Sequence, residues 1–262
     1  MITHYPAGTG RMPGGSPCLP GGGCCAFARW ARAGLAVSLT SMSTTDLTAP
    51  LARPRIPALD IARTIALVAM AVFHFNFDLE LFGYVAPGTS FTGFWRALAV
   101  VTASSFLFLA GVGLWLSHAE GIRWAAFGRR FAIIAGAAAL VSVGTYMAFP
   151  EAFVFFGILH SIALCSLLGL AALRLPVVLI VALAIAVFYV PEFVRSPSYN
   201  GPSFDAPWLW WTGLQTMSLS TVDYEPIFPW FAAFLAGMAA SKLATRTGVW
   251  ARLETLTPSR AA

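Results

Sequence analysis

Between Pro57 and Gly83 the chain reads PALDIARTIALVAMAVFHFNFDLELFG. Ile61 to Phe77 is apolar enough for lipid, yet the stretch carries Asp60 and Arg63 at one end and His74 and Asp78 at the other. A run of about 20 apolar residues crosses a bilayer as a helix. An ionisable side chain inside such a span is expensive and is a candidate for function by default. Asp60 and Arg63 are spaced i,i+3 and His74 and Asp78 i,i+4, so on a helix each pair shares a face. The remaining apolar segments read as helices packed around this one.

The whole chain has the composition that such a span implies. It is 58% hydrophobic and 10% charged, where soluble domains carry about 25% charged residues. The expected fold is therefore an all-α, polytopic membrane helix bundle whose first partner is the lipid bilayer. The net charge of +5 is not a nucleic-acid footprint, because its arginines fall in short loops where they set topology. Cys18, Cys24, Cys25 and Cys165 have neither a disulfide framework nor metal-ligand spacing, and no metal is expected.

Three regions follow from composition: an extension over residues 1–52, a membrane domain over 53–246 and a basic cytoplasmic tail over 247–262. The extension is rich in Gly and Pro without a period, which reads as disorder. Met42 is a candidate for the biological start. Six spans are expected, over 57–82, 94–116, 125–148, 153–173, 177–190 and 227–243. The loop of 191–225 is the longest, and its tryptophans suggest an interfacial segment. With the N-terminus inside, the inner segments hold Arg53, Arg55, Arg63, Arg123, Arg129, Arg130, Arg174, Lys242, Arg246, Arg252 and Arg260, and the outer loops only Arg96 and Arg195. The positive-inside rule then puts both termini in the cytoplasm.

This topology places His74 and Asp78 in the outer half of the first span. His160 lies some seven residues into the fourth, about 10 Å deep at 1.5 Å per residue. A histidine oriented by a carboxylate is a usable general base, which makes His74, Asp78 and His160 the catalytic candidates. The competing reading is that each histidine only hydrogen-bonds a neighbouring helix, and Gly157 and Ser161 give His160 the surroundings of a packing seam. Asp223 and Glu225, just before the sixth span, are placed to complete this site or bind an acceptor, unless they are merely solvated. At the inner end Asp60, Arg63, Arg123, Arg129 and Arg130 form either a basic mouth for a phosphorylated ligand or a set of snorkelling anchors. His118 lies in a charged loop and is expected to be solvated.

The segments RIPALDIARTIALVAMAVFHFNFDL, SFLFLAGVGLWLSHAEGIRWAAFGRR, FPEAFVFFGILHSIALCSLLGL and VDYEPIFPWFAAFLAGMA resemble, in order over about residues 55–245, bacterial membrane proteins related to the catalytic domain of heparan-α-glucosaminide N-acetyltransferase. The resemblance implies transmembrane acyl transfer, with acetyl-CoA or another acyl-CoA as co-substrate. The acceptor would be a glycan or amino sugar at the far face, and the setting a bacterial inner membrane. It matches Asp60 and Arg63 to an LDxxR element and His74 to a membrane histidine. Thr64 stands where the family usually has Gly. Self-association into a homo-oligomer is left open. A small proton-coupled transporter using the same ionisable residues is the alternative, and against it the sequence displays no repeat and no pair of broken helices.

Overall fold

The computed structural model describes residues 56–195 and 204–255. The expectations for residues 1–52, and for the tail beyond 255, lie outside them. Among the described residues the regular structure is helical: α1 (Pro57–Leu81), α2 (Gly93–His118), α3 (Trp124–Ala148), α4 (Ile158–Ala172), α5 (Val177–Val194), α6 (Ile227–Arg246) and the short α7 (Val249–Thr255). Proline sets several starts, where its missing N–H costs nothing: Pro57 opens α1, and Pro176 and Pro226 precede α5 and α6. Gly248, with φ of +70°, separates α6 from α7, and Trp250 of α7 donates its indole N–H to Ser241 O at 3.1 Å. The loop after α1 is tied back to it. Glu80 accepts the backbone N–H groups of Gly88 and Ser90, and buried Asn76 donates to Ser90 Oγ at 2.9 Å.

Five of these helices, α1, α2, α3, α5 and α6, are long and apolar enough to cross a membrane. The protein is thus a polytopic helical membrane bundle. The expected fourth span departs from a simple helix. Residues 153–157 are extended and α4 begins only at Ile158, leaving 15 helical residues, about 22 Å against a hydrocarbon core of about 30 Å. The fifth span runs longer than expected, because α5 continues through Pro191 to Val194.

The first span is not the hub. Only Ala66 and Asn76 of α1 are buried, while Ile61, Ile65, Leu67, Val68, Val72 and Phe75 stay exposed. The centre is the crossing of α2 and α6, whose fully enclosed side chains include Leu107, Phe234, Leu235 and Met238. Two glycines permit it. A Cβ on Gly111 would sit 2.0 Å from Phe234 O, and one on Gly237 would sit 2.0 Å from Phe108 O. Gly169 of α4 lies against the Phe234 ring in the same way. In lipid, apolar surface gives no preference for one helix over another, so close backbone approach at small residues decides who packs with whom. At the other end Lys242 of α6 closes the bundle. Its ammonium donates to Leu173 O and Leu175 O at 3.2 and 2.5 Å, satisfying carbonyls at the end of α4, and lies over the Trp115 ring.

The crossing predicts opposite outcomes for similar substitutions. Gly111→Ala or Gly237→Ala should destabilise the detergent-solubilised protein by about 1–3 kcal/mol or more through overpacking. Gly136→Ala, whose Cβ meets nothing within 4 Å, should be neutral or slightly stabilising through helix propensity. Thermal unfolding of the three variants side by side checks this.

Candidate active site

The extended stretch before α4 organises one end of the bundle. Backbone groups without a helix must find partners inside a membrane protein, and here the 221–225 segment and α3 supply several of them. Val222 N–H donates to Ala152 O at 3.0 Å and Glu225 N–H to Phe156 O at 3.1 Å, while Thr221 Oγ1 donates to Phe153 O at 2.8 Å. Phe156 and Tyr224 form a parallel bridge. Ser161 Oγ donates to Glu225 O. From α3, Thr145 Oγ1 accepts Val154 N–H at 3.0 Å and Ser142 Oγ donates to Val154 O at 2.6 Å.

Asp223 is fixed by this pairing. Its Oδ2 accepts the first N–H of α4, from Ile158, at 3.0 Å, a cap from a distant segment that also meets the positive end of the helix dipole. Gly157 makes room for it, since a Cβ there would fall 2.0 Å from Oδ2. Burial pushes the Asp223 carboxyl up, and the Ile158 N–H and the charges of His74 and His160 pull it back down. Glu225 has only the unfavourable influences. Burial, and then the neighbouring Asp223, push its carboxyl up to about 9, and its Oε2 is enclosed without a hydrogen-bond partner among the described residues. Near neutral pH this end therefore holds a protonated Glu225 beside Asp223, two carboxyl groups held in unequal environments.

The structure places the two histidines in different surroundings. His160 sits in the first turn of α4, not seven residues down a helix. Its Nδ1 accepts Gly157 N–H at 3.3 Å, so Nε2 carries the proton of the neutral ring and faces Ser142 Oγ at 3.3 Å. With both nitrogens occupied, His160 joins α3 to the start of α4. His74 is exposed on α1, and among the described residues no hydrogen bond holds its ring. Asp78 is also exposed and forms no ion pair with His74. The carboxylate whose charge acts on both histidines is Asp223, which spacing along a single helix does not reveal.

The basic residues also divide. Arg63 Nη1 bonds Asp60 Oδ1 at 3.0 Å, an exposed pair. Its Nη2 and the Nη1 of Arg130 both lie within 3.6 Å of the point a Gly113 Cβ would occupy, so the glycine of α2 lets two guanidinium groups converge. They stand at one end of a cavity of about 230 Å³ whose other walls include Leu67, Ala110, Leu159 and Ile162. Arg123 and Arg129 are exposed and line no part of it. His118, expected in solvent, is the last residue of α2 and is buried, with its ring edge against Phe127. The charged turn begins only after it.

These features define a helical membrane protein with a paired-guanidinium end and a histidine–carboxylate end. Residues 55–262 match the model of the family described as heparan-alpha-glucosaminide N-acetyltransferase, catalytic. The chain belongs to that family, and the activity its name carries is acetyl transfer. No curated protein and no solved structure gives a significant match.

The Glu225 carboxyl has a consequence for stability. Between its ordinary 4.5 and about 9, the folded chain holds a proton that the unfolded chain releases. This contribution is full below 4.5, declines as pH rises and is gone above about 9. The melting midpoint in detergent should therefore fall between about pH 5 and 9 in the wild type and fall less in Glu225→Gln, which keeps a neutral side chain throughout. Parallel slopes for the two proteins would remove the buried neutral acid from the site.

Proposed function

We propose that the protein takes an acyl group, acetyl in the simplest case, from acyl-CoA at the cytoplasmic face of a bacterial inner membrane and transfers it to a hydroxyl or amine of a glycan or amino sugar at the outer face. One observation carries this reading. Arg63, Leu67 and His74 are spaced 4 and 7 residues apart on α1 and so fall on one helical stripe. The first two line the cavity that Arg130 also walls, and His74 lies 11 residues beyond Arg63, about 16 Å along the axis. A donor whose phosphates meet the paired guanidinium groups, as bidentate arginines favour, has its thioester arm directed along that stripe toward the histidine.

The chemistry at the far end follows from protons. His74 removes the proton from the acceptor O–H or N–H, and the freed electron pair attacks the thioester carbonyl. The C–S bond breaks and the thiolate takes up a proton, leaving free CoA. In the covalent version the His74 ring itself first accepts the acyl group and passes it on. Asp223 stabilises the imidazolium in either case, and neutral Glu225 adds a hydrogen-bond donor at the same end. Asp60 holds Arg63 in place. Arg129 and Arg123 add only field at the cytoplasmic mouth.

One feature favours transport instead: the fourth and sixth spans both lose helical geometry at the same end, over residues 153–157 and at Phe228, as the broken helices of transporters do. Several freed backbone groups of the fourth span, however, are bonded to the 221–225 segment and to α3, and these are not presented to a solute.

Calorimetry on the full chain in detergent distinguishes the readings. Acetyl-CoA should bind saturably. Arg63→Gln and Arg130→Gln should each weaken it about tenfold, the loss of one charge-assisted contact, and Arg129→Gln far less. His74→Ala should bind acetyl-CoA as the wild type does and transfer nothing. Absence of binding by a folded wild-type protein, with uptake of an unmodified solute into vesicles, would replace acyl transfer by transport.

A further inference from the structure

His118 is 6% exposed. Its Nδ1 lies 3.1 Å from Leu114 O. A carbonyl only accepts, so Nδ1 carries the proton and Nε2 of the neutral ring offers a lone pair. That Nε2 is fully enclosed and meets no donor among the described residues. His118 borders a cavity of about 10 Å³ that Arg130 and Ser166 also line. The Ser166 proton is engaged by Ile162 O at 2.6 Å, so Ser166 too offers a lone pair there. Two acceptors and one guanidinium donor therefore surround a space of about one water, and a buried water needs two to four such partners. A water that donates to His118 Nε2 and Ser166 Oγ and accepts from Arg130 satisfies all three, whereas an anion would face two lone pairs.

Arg130 and Ile134 also wall the larger cavity that contains Arg63. We propose that a single buried water couples His118 and Ser166 to Arg130 and holds its guanidinium beside that of Arg63, which makes His118 and Ser166 positioning residues for the phosphates of a coenzyme A thioester. This rests on the acyl-CoA reading above. Two like charges repel at this distance, and an exposed arginine has many rotamers. A tether from behind, on the side away from the ligand, fixes one of the two before the anion arrives.

The test compares acetyl-CoA with S-acetyl-pantetheine, which has the thioester arm without the phosphates, in calorimetry on the full chain in detergent. His118→Phe keeps the ring volume and removes the acceptor. It should weaken acetyl-CoA about tenfold, as Arg130→Gln does, and leave S-acetyl-pantetheine unchanged. His118→Gln restores an acceptor and should bind acetyl-CoA within about threefold of the wild type. The double variant His118→Phe/Arg130→Gln should be no weaker than either single one, because both remove the same contact. Ser166→Ala, a smaller change, should show the same selectivity with a several-fold loss and serves if His118→Phe does not fold. Wild-type affinity in His118→Phe or Ser166→Ala, equal losses for both ligands, or multiplied losses in the double variant would overturn the tether. An unimpaired Arg130→Gln would instead remove the phosphate site itself, and the tether with it.

Discussion

Two backbone carbonyls, Phe234 O and Phe108 O, lie where the β-carbons of Gly111 and Gly237 would be. This reciprocal contact lets α2 and α6 approach until their backbones touch, and the other placements follow from it. Phe234 is then enclosed and presents its ring to Gly169, which brings in α4. Helix α6 in turn carries Lys242 to the carbonyls that end α4. A bilayer does not reward burial of leucine in protein over leucine in lipid, so dispersion between closely approaching backbones takes the place that the hydrophobic effect has in water.

The second constraint is the unpaired backbone of residues 153–157. A segment of a membrane bundle that stops being helical must find other partners for its N–H and C=O groups. The partners chosen here, the 221–225 segment and the hydroxyls of Ser142 and Thr145, bring Asp223 onto the first N–H of α4 and leave Glu225 beside it. The carboxylates are thus placed by a structural requirement, and their unequal proton affinities follow from the same pairing, since Asp223 receives a backbone N–H and Glu225 Oε2 receives no donor among the described residues.

The sequence made the membrane class, the span count to within one shortened helix, and the ionisable residues themselves readable, because a charge in an apolar run stands out by cost alone. It did not make their partners readable. Spacing on one helix joins His74 to Asp78, but the carboxylate that acts on His74 comes from a segment far along the chain, through a β-bridge that no helical period announces. His160 was visible as a polar residue in a span, and its spent valences depend on where α4 begins, which Gly157 marks only once Asp223 is known to lie against it. His118 is hidden for a related reason: the charges of the following turn suggest solvent one residue too early. The hub is hard to read because α1 holds the conspicuous charges while α2 and α6 hold the glycines, and glycines carry no signal of chemistry.

The same division explains why α1 suits the proposed transfer site. A helix at the centre of the bundle is held by backbone contact along its length and has little room for ligands on its faces. Helix α1, with two buried residues, touches α2 loosely enough for a cavity to run beside Arg63 and Leu67. The rigid pair of α2 and α6 supplies the frame, Gly113 of α2 seats the two guanidinium groups, and the loop fixed to α4 supplies the acid groups. The peripheral helix then needs only to carry its arginine and its histidine on one stripe, which a helical repeat of 4 and 7 residues provides without further packing.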